Sequence, residues 1–206
     1  MSTHLTRLWT TGLLILGSLA GAGTARAASH QWRFHELFSN ADGTIQFIEM
    51  QECCGFTQEI NLQSKWILAR HANHQYNFRS NLVGNTANKH LLLATSGFAA
   101  IVGAPTPDII IPSGFLPTGG DTLDYWLYGD TTTRVYGPLP LDGVTALQVG
   151  GPGPDGIPGT ADDVPNTTDV NSPTNYAGAT GTIDLRVPIR PTTWGSIKAG
   201  RTIPDH

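Results

Sequence analysis

The chain is short of cysteine, of charge and of helical periodicity, and each shortage excludes something. Only Cys53 and Cys54 are present in 206 residues. A disulfide framework of the kind that holds small secreted domains together is therefore excluded. Adjacent cysteines leave a vicinal bridge, a bond to a second chain, or reduced thiols. Charged residues make up 14% of the chain, while Gly 24 and Pro 14 are generous, which disfavours long helices laced with ion pairs and favours short strands joined by turns. No Lys/Arg cluster interleaved with aromatic residues occurs, and the net charge of −4 argues against non-specific nucleic-acid binding. A G-x-S-x-G elbow, an H-E-x-x-H helix, a Walker loop and a dinucleotide fingerprint are all missing, so no nucleophile or phosphate cradle is visible.

What is present begins with a targeting signal. Arg7 precedes the apolar run Gly12 to Ala20, and Ala25-Arg26-Ala27 offers an A-x-A cleavage site. The run is shorter than the roughly 20 residues of a membrane-spanning helix. Residues 1–27 are expected to be a signal peptide, which makes the mature protein secreted, extracellular or periplasmic, with no membrane span after signal removal. Loss of Arg7 and Arg26 moves the net charge from −4 to −6. The 39% hydrophobic content supplies a core without metal or disulfide support.

The pattern that follows is β throughout. Glu36 to Met50 reads as a hairpin around Asn40, Asp42 and Gly43, where Gly43 supplies a positive φ and the Asx side chains bond their own backbone. In its first strand Trp32, Phe34 and Phe38 share one parity, with Glu36 interrupting the inward face. In its second, both faces are apolar, as in a central strand. Leu62 to Ala69 with Gln75 to Phe78 forms a second hairpin, and Lys89 to Thr95 is the most apolar run of the mature chain. Ile109 to Ile111, hemmed by prolines, reads as a short edge strand. Asp121 to Tyr128 with Thr131 to Tyr136 is a third hairpin across Gly129-Asp130. Such spacing without a helical period predicts an all-β sandwich, immunoglobulin-like, over residues 28–147. Residues 148–206 read as a glycine- and proline-rich extension packed on or trailing it, with 148–175 an extended loop and Thr193 to Arg201 at most one helical turn.

Four stretches in this order carry a resemblance: Glu36-Leu37-Phe38 with Phe47-Ile48-Glu49-Met50; Asn61 to Leu68 around Trp66, followed by Tyr76 and Phe78; Leu91 to Ala94; and Gly120 to Leu123. Together they resemble the lamin-tail domain, an immunoglobulin-like sandwich used in bacterial secreted and surface proteins. The resemblance spans residues 31–137. It departs from the family pattern at Ser64-Lys65, where a small residue and glycine are usual before the tryptophan, and in a longer loop around Ile109.

The candidate chemistry is sparse. Asp155, Asp162, Asp163 and Asp169 form an oxygen-rich loop suited to calcium, although the spacing of an EF-hand is absent. His71 and His74 with Cys53 and Cys54 offer zinc or copper ligands, against the plainer reading of a polar turn. Glu36 and Glu49 face each other across the first hairpin; a structural role, bonding backbone or an arginine, is favoured over acid–base catalysis. Asp42, Gly43 and Trp66 are structural, and His35 and His90 read as core or edge histidines. Trp32, Trp66, Tyr125 and Trp126 belong mainly to the core, with one exposed aromatic strip as a possible carbohydrate surface. The expected function is a non-catalytic adhesion, binding or scaffolding module whose partner is an extracellular protein or polysaccharide, bound through Cys53 to Glu59 or the acidic loop. The alternatives are an extracellular cation-dependent hydrolase using Glu36, Glu49 and the loop aspartates, and a calcium-stabilised matrix protein.

Overall fold

The computed structural model describes residues 31–127, 130–151 and 163–186. The expected signal peptide, Tyr128-Gly129, Asp155 and Asp162, and the stretch Thr193 to Arg201 lie outside the described residues.

Among the described residues, ten strands and one helical turn follow in chain order: β1 (Trp32–Ser39), β2 (Gln46–Glu52), β3 (Trp66–Ala69), β4 (His74–Asn77), β5 (His90–Thr95), α1 (Ser96–Ala99), β6 (Ile109–Ile111), β7 (Asp121–Leu127), β8 (Asp130–Tyr136), β9 (Thr145–Gln148) and β10 (Thr167–Val170). They form a six-stranded sheet ordered β10-β9-β1-β2-β5-β6 and a four-stranded sheet ordered β4-β3-β7-β8. The fold is an all-β sandwich. Its inter-sheet core draws Trp32, Phe34, Leu37, Ile48, Met50 and Leu91 from the larger sheet against Ile67, Ala69, Leu123 and Tyr125 from the smaller one. Each of these large side chains, fully removed from water, contributes about 1.5–3 kcal/mol.

The first hairpin turns as its residues dictate. Gly43 sits at φ 71°, Asn40 Oδ1 accepts from Ile45 N at 3.0 Å, and Asp42 Oδ1 accepts from Thr44 N at 3.0 Å. The strand that follows is central, with β1 on one side and β5 on the other. The triple isoleucine of β6 is an edge strand and runs parallel to β5, with Leu93 opposite Ile109.

Strict alternation in β1 does not hold. Phe34 lies opposite Met50 but Glu36 lies opposite Glu49, so β1 carries one residue more than β2 between these pairs. His35 is that extra residue, and the bulge changes the facing of everything after it. Trp32 and Phe34 point between the sheets, but beyond the bulge Leu37 takes over that role. Phe38 turns to the outer face of the large sheet, not inward with Trp32 and Phe34 as period-two counting predicts. There it stacks on Phe47, which meets Phe98 of α1 edge-to-face. Ala94, Ala146 and Ile183 complete this second core.

The segment read as an extended loop is partly strand. β10 pairs with β9 through Thr167–Gln148 to Val170–Thr145. Asn171, fully buried, then ties the chain down: its Nδ2 donates to Val144 O at 2.6 Å and Ile183 O at 2.7 Å, and its Oδ1 accepts from Ile183 N at 2.8 Å. Apolar content was a poor guide here because side-chain amide bonding, not hydrophobic burial, does the anchoring. α1 was also not anticipated; Thr95 caps it by accepting from Phe98 N.

Candidate functional site

Two surfaces concentrate chemistry, one on the outer face of each sheet.

On the six-stranded sheet the bulge in β1 places both His35 and Glu36 on the outward side. Glu49 of β2 lies directly opposite Glu36, and Gln148 of β9 flanks Glu36 on its other side. His90 of β5 pairs with Gln51, one step along the same face from Glu49. The result is a His35–Glu49–His90 cluster drawn from three adjacent strands. Glu49 is 1% exposed; its Oε1 lies 2.5 Å from His90 Nδ1 and 3.1 Å from His35 Nδ1. The two imidazole rings meet edge-to-face with centroids 5.4 Å apart.

The chain returns over these carboxylates. Ser172 N donates to Glu36 Oε1 at 2.9 Å, and Thr174 N donates to Glu49 Oε2 at 2.6 Å. A little further on, Tyr176 N donates to Asp108 Oδ2 at 2.8 Å. Residues 171–176 therefore form a strap whose amides are met by carboxylates projecting from the sheet, which satisfies charges that would otherwise be buried alone. Burial pushes the Glu36 carboxyl up to about 7, with the charge of Glu49 adding to the effect and the Ser172 amide opposing it. Burial acts in the same sense on Glu49, but the two histidines and the Thr174 amide outweigh it and hold the carboxyl below its ordinary value. Contact with Glu49 raises the His35 imidazole against its own partial burial. His35 Nδ1 is buried and lies 3.1 Å from the carboxylate without forming a hydrogen bond to it.

The four-stranded sheet presents a different chemistry. Trp66 of β3 lies opposite Trp126 of β7, and the two half-buried indoles are stacked with planes 2° apart and centroids 5.7 Å apart. Asn77 and Thr131 extend this row across β4 and β8. In the adjacent row Asp124 accepts from Arg70 Nε at 2.8 Å, from Arg70 Nη2 at 2.6 Å and from Thr133 Oγ1 at 2.7 Å. A cleft of about 560 Å3 lies beside β8, lined by Thr131, Thr133 and Val135 on the sheet side and by Asp163 to Asn166 opposite.

The other sequence candidates are dispersed. Cys53 and Cys54 are joined to each other by a disulfide. The loop they open is wrapped around Glu52, whose carboxylate accepts from the amides of Cys54, Gly55, Phe56 and Asn88 at 2.8–3.1 Å. Burial pushes this carboxyl up, and the four amides more than reverse it, leaving Glu52 below its ordinary value. His71 Nδ1 lies 2.6 Å from Asp121, and His74 Nδ1 lies 3.1 Å from Phe115 O. Among the described residues the only group of three His, Cys, Asp or Glu side chains close enough to share one ion is His35–Glu49–His90; the two cysteines, His71 and His74 do not come together. Of the four loop aspartates, Asp163 and Asp169 are described. Asp169 is exposed on β10, with Oδ1 accepting from the neighbouring Val170 N, and Asp163 acts on Arg134 by charge.

Sequence reasoning had both glutamates but not the histidines around them. Nothing local shows that His90, 41 residues after Glu49, returns beside it. The strand pairing β2–β5 decides that, and the bulge decides the facing of His35. No helix among the described residues is long and apolar enough to cross a membrane. Comparison of the chain with protein-family models, with curated proteins and with solved structures finds no match.

Proposed function

We propose that this is a secreted, non-catalytic binding module of the cell exterior, built on a lamin-tail-like, immunoglobulin-like sandwich, that holds a polysaccharide on the outer face of its four-stranded sheet. The observation that carries this reading is the stacked Trp66–Trp126 pair set among polar side chains. Indole surface left partly exposed on a sheet face is suited to the C–H faces of a sugar ring. Asn77, Gln75, Thr131, Thr133 and the Arg70–Asp124 pair offer donors and acceptors within the same two rows, where sugar hydroxyls need them. The surface is a strip with a cleft along one side, a shape for a chain more than for a small molecule enclosed in a cavity. The acidic net charge is in keeping with a neutral or basic polymer and not with nucleic acid.

The hydrolase alternative requires Glu36 and Glu49 to reach a substrate. Both carboxylates are instead engaged by the amides of Ser172 and Thr174, which favours binding over turnover. The test is affinity electrophoresis of the mature protein in gels containing soluble neutral polysaccharides. Retardation by at least one polymer is expected, reduced roughly tenfold in apparent affinity by Trp66→Ala or Trp126→Ala. No retardation by any polymer, or retardation unaffected by both substitutions, would overturn the proposal; capture of an extracellular protein dependent on the same tryptophans would replace the polysaccharide by a protein partner.

A further inference from the structure

The geometry points to a binding site for one divalent transition-metal ion of the zinc class at His35, Glu49 and His90, on the outer face of the six-stranded sheet. Two imidazole nitrogens and one carboxylate oxygen all lie within 4.8 Å of one another. Ligands at the usual bond lengths of about 2.0–2.2 Å are separated from each other by roughly 3–3.6 Å. His35 Nδ1 at 3.1 Å and His90 Nδ1 at 2.5 Å from Glu49 Oε1 are close to that spacing, so modest rotations of the two rings open the cluster around an ion.

Three further features suit a metal better than a plain hydrogen-bond cluster. His35 Nδ1 is buried and has no hydrogen-bond partner, although it lies 3.1 Å from the shared carboxylate; a coordinating ion satisfies it where the present arrangement does not. The second oxygen of Glu49 is already held by Thr174 N, which leaves Oε1 for the metal and fixes the carboxylate. The Gln51 side-chain nitrogen lies 3.4 Å from His90 Nε2; a half-turn of this amide presents its Oε1 to the Nε2–H that a metal on Nδ1 requires, as the accepting outer partners of metal-bound histidines do. The three ligands stand on the neighbouring strands β1, β2 and β5, whose backbone bonding makes their spacing rigid.

Two nitrogens and one oxygen favour zinc, cobalt, nickel or copper over calcium, which takes six to eight oxygens. The histidine side chains are 38% and 23% exposed, so an ion can enter from solvent and keep a position open to it. This inference is independent of the polysaccharide reading, which concerns the opposite face of the sandwich.

The experiment titrates the mature, untagged protein with Co(II), followed by its visible d–d bands, and then displaces the cobalt with Zn(II). One equivalent is expected to bind, with affinity lowered at least tenfold by His35→Gln and by His90→Gln, and lowered about tenfold by Gln51→Leu, which removes no ligand. Near-ultraviolet circular dichroism of the Trp66–Trp126 pair verifies that each variant is folded. Absence of binding up to about 1 mM Co(II), or binding equally tight in wild type, His35→Gln and His90→Gln, would overturn the proposal.

Discussion

Lys65 and Glu59 lie inside the sandwich, 0% and 5% exposed, and this pair should invert the usual dependence of stability on pH. Burial holds the Lys65 ammonium down to about 8, against the attraction of Glu59. Burial likewise pushes the Glu59 carboxyl up to about 6, against the attraction of Lys65, and its Oε2 has no hydrogen-bond partner. In both groups desolvation exceeds pairing, so the folded state prefers each in its neutral form. For Glu59 the folded value lies above the unfolded one, and its stabilising contribution, full below about 4.5, is lost as pH rises through 6. For Lys65 the folded value lies below the unfolded one, and its contribution, full above about 10.5, is lost as pH falls through 8. The pair therefore contributes least between pH 6 and 8. At 1.36 kcal/mol per pH unit, the shift of Glu59 from 4.5 to about 6 lowers stability by roughly 1–2 kcal/mol between pH 4.5 and 6.5. Replacing both groups by neutral side chains of similar volume, Glu59→Gln with Lys65→Met, removes that slope and leaves the protein as stable or more stable at pH 7. Lys65→Met alone strands the Glu59 charge and destabilises at pH 7 by roughly 3 kcal/mol. The assay is urea unfolding at intervals from pH 4.5 to 9, with the difference between wild type and double variant plotted against pH. A difference that does not change between pH 4.5 and 6.5 would refute the reasoning, as would a double variant less stable than Lys65→Met.

Two other substitutions probe how the outer loops are held. Glu52→Gln puts a donor where four backbone amides require an acceptor; it should cost about 2–3 kcal/mol and expose the Cys53–Cys54 loop to protease, and because the Glu52 carboxyl sits below its ordinary value the wild-type advantage should fade as pH falls into the carboxylate range. Asn171→Ala deletes three hydrogen bonds of this buried side chain, two of them fully buried, that hold the strap and Ile183; a loss of about 2–4 kcal/mol with early proteolytic cleavage between 163 and 186 is expected, and hydrogen exchange at Ile183 unchanged from wild type would contradict it.

The β character, the three hairpins and the edge position of Ile109 to Ile111 were open to reading because they depend on local physics: period-two apolar runs, Asx-Gly turn chemistry and prolines that cannot join a ladder. The Asn40, Asp42 and Gly43 turn forms as those residues require. The vicinal relation of Cys53 and Cys54 is likewise a property of the chain alone. Lys65 stood out as a departure from the lamin-tail pattern, but only the packed sandwich shows that a lysine at that position is buried near Glu59.

Tertiary structure decided the rest, for identifiable reasons. A single inserted residue in β1 reverses side-chain facing, so the bulge at His35 moved Leu37 inward and Phe38 outward. No window of sequence shows which strands become neighbours; pairing of β2 with β5 brought His90 to Glu49, and pairing of β3 with β7 brought Trp126 to Trp66. The strap at 171–176 is anchored by amides and carboxylates separated by more than a hundred residues. Composition and local pattern thus determined that this chain makes paired strands, whereas the meeting of strands distant in sequence determined where its glutamates, histidines and tryptophans become sites.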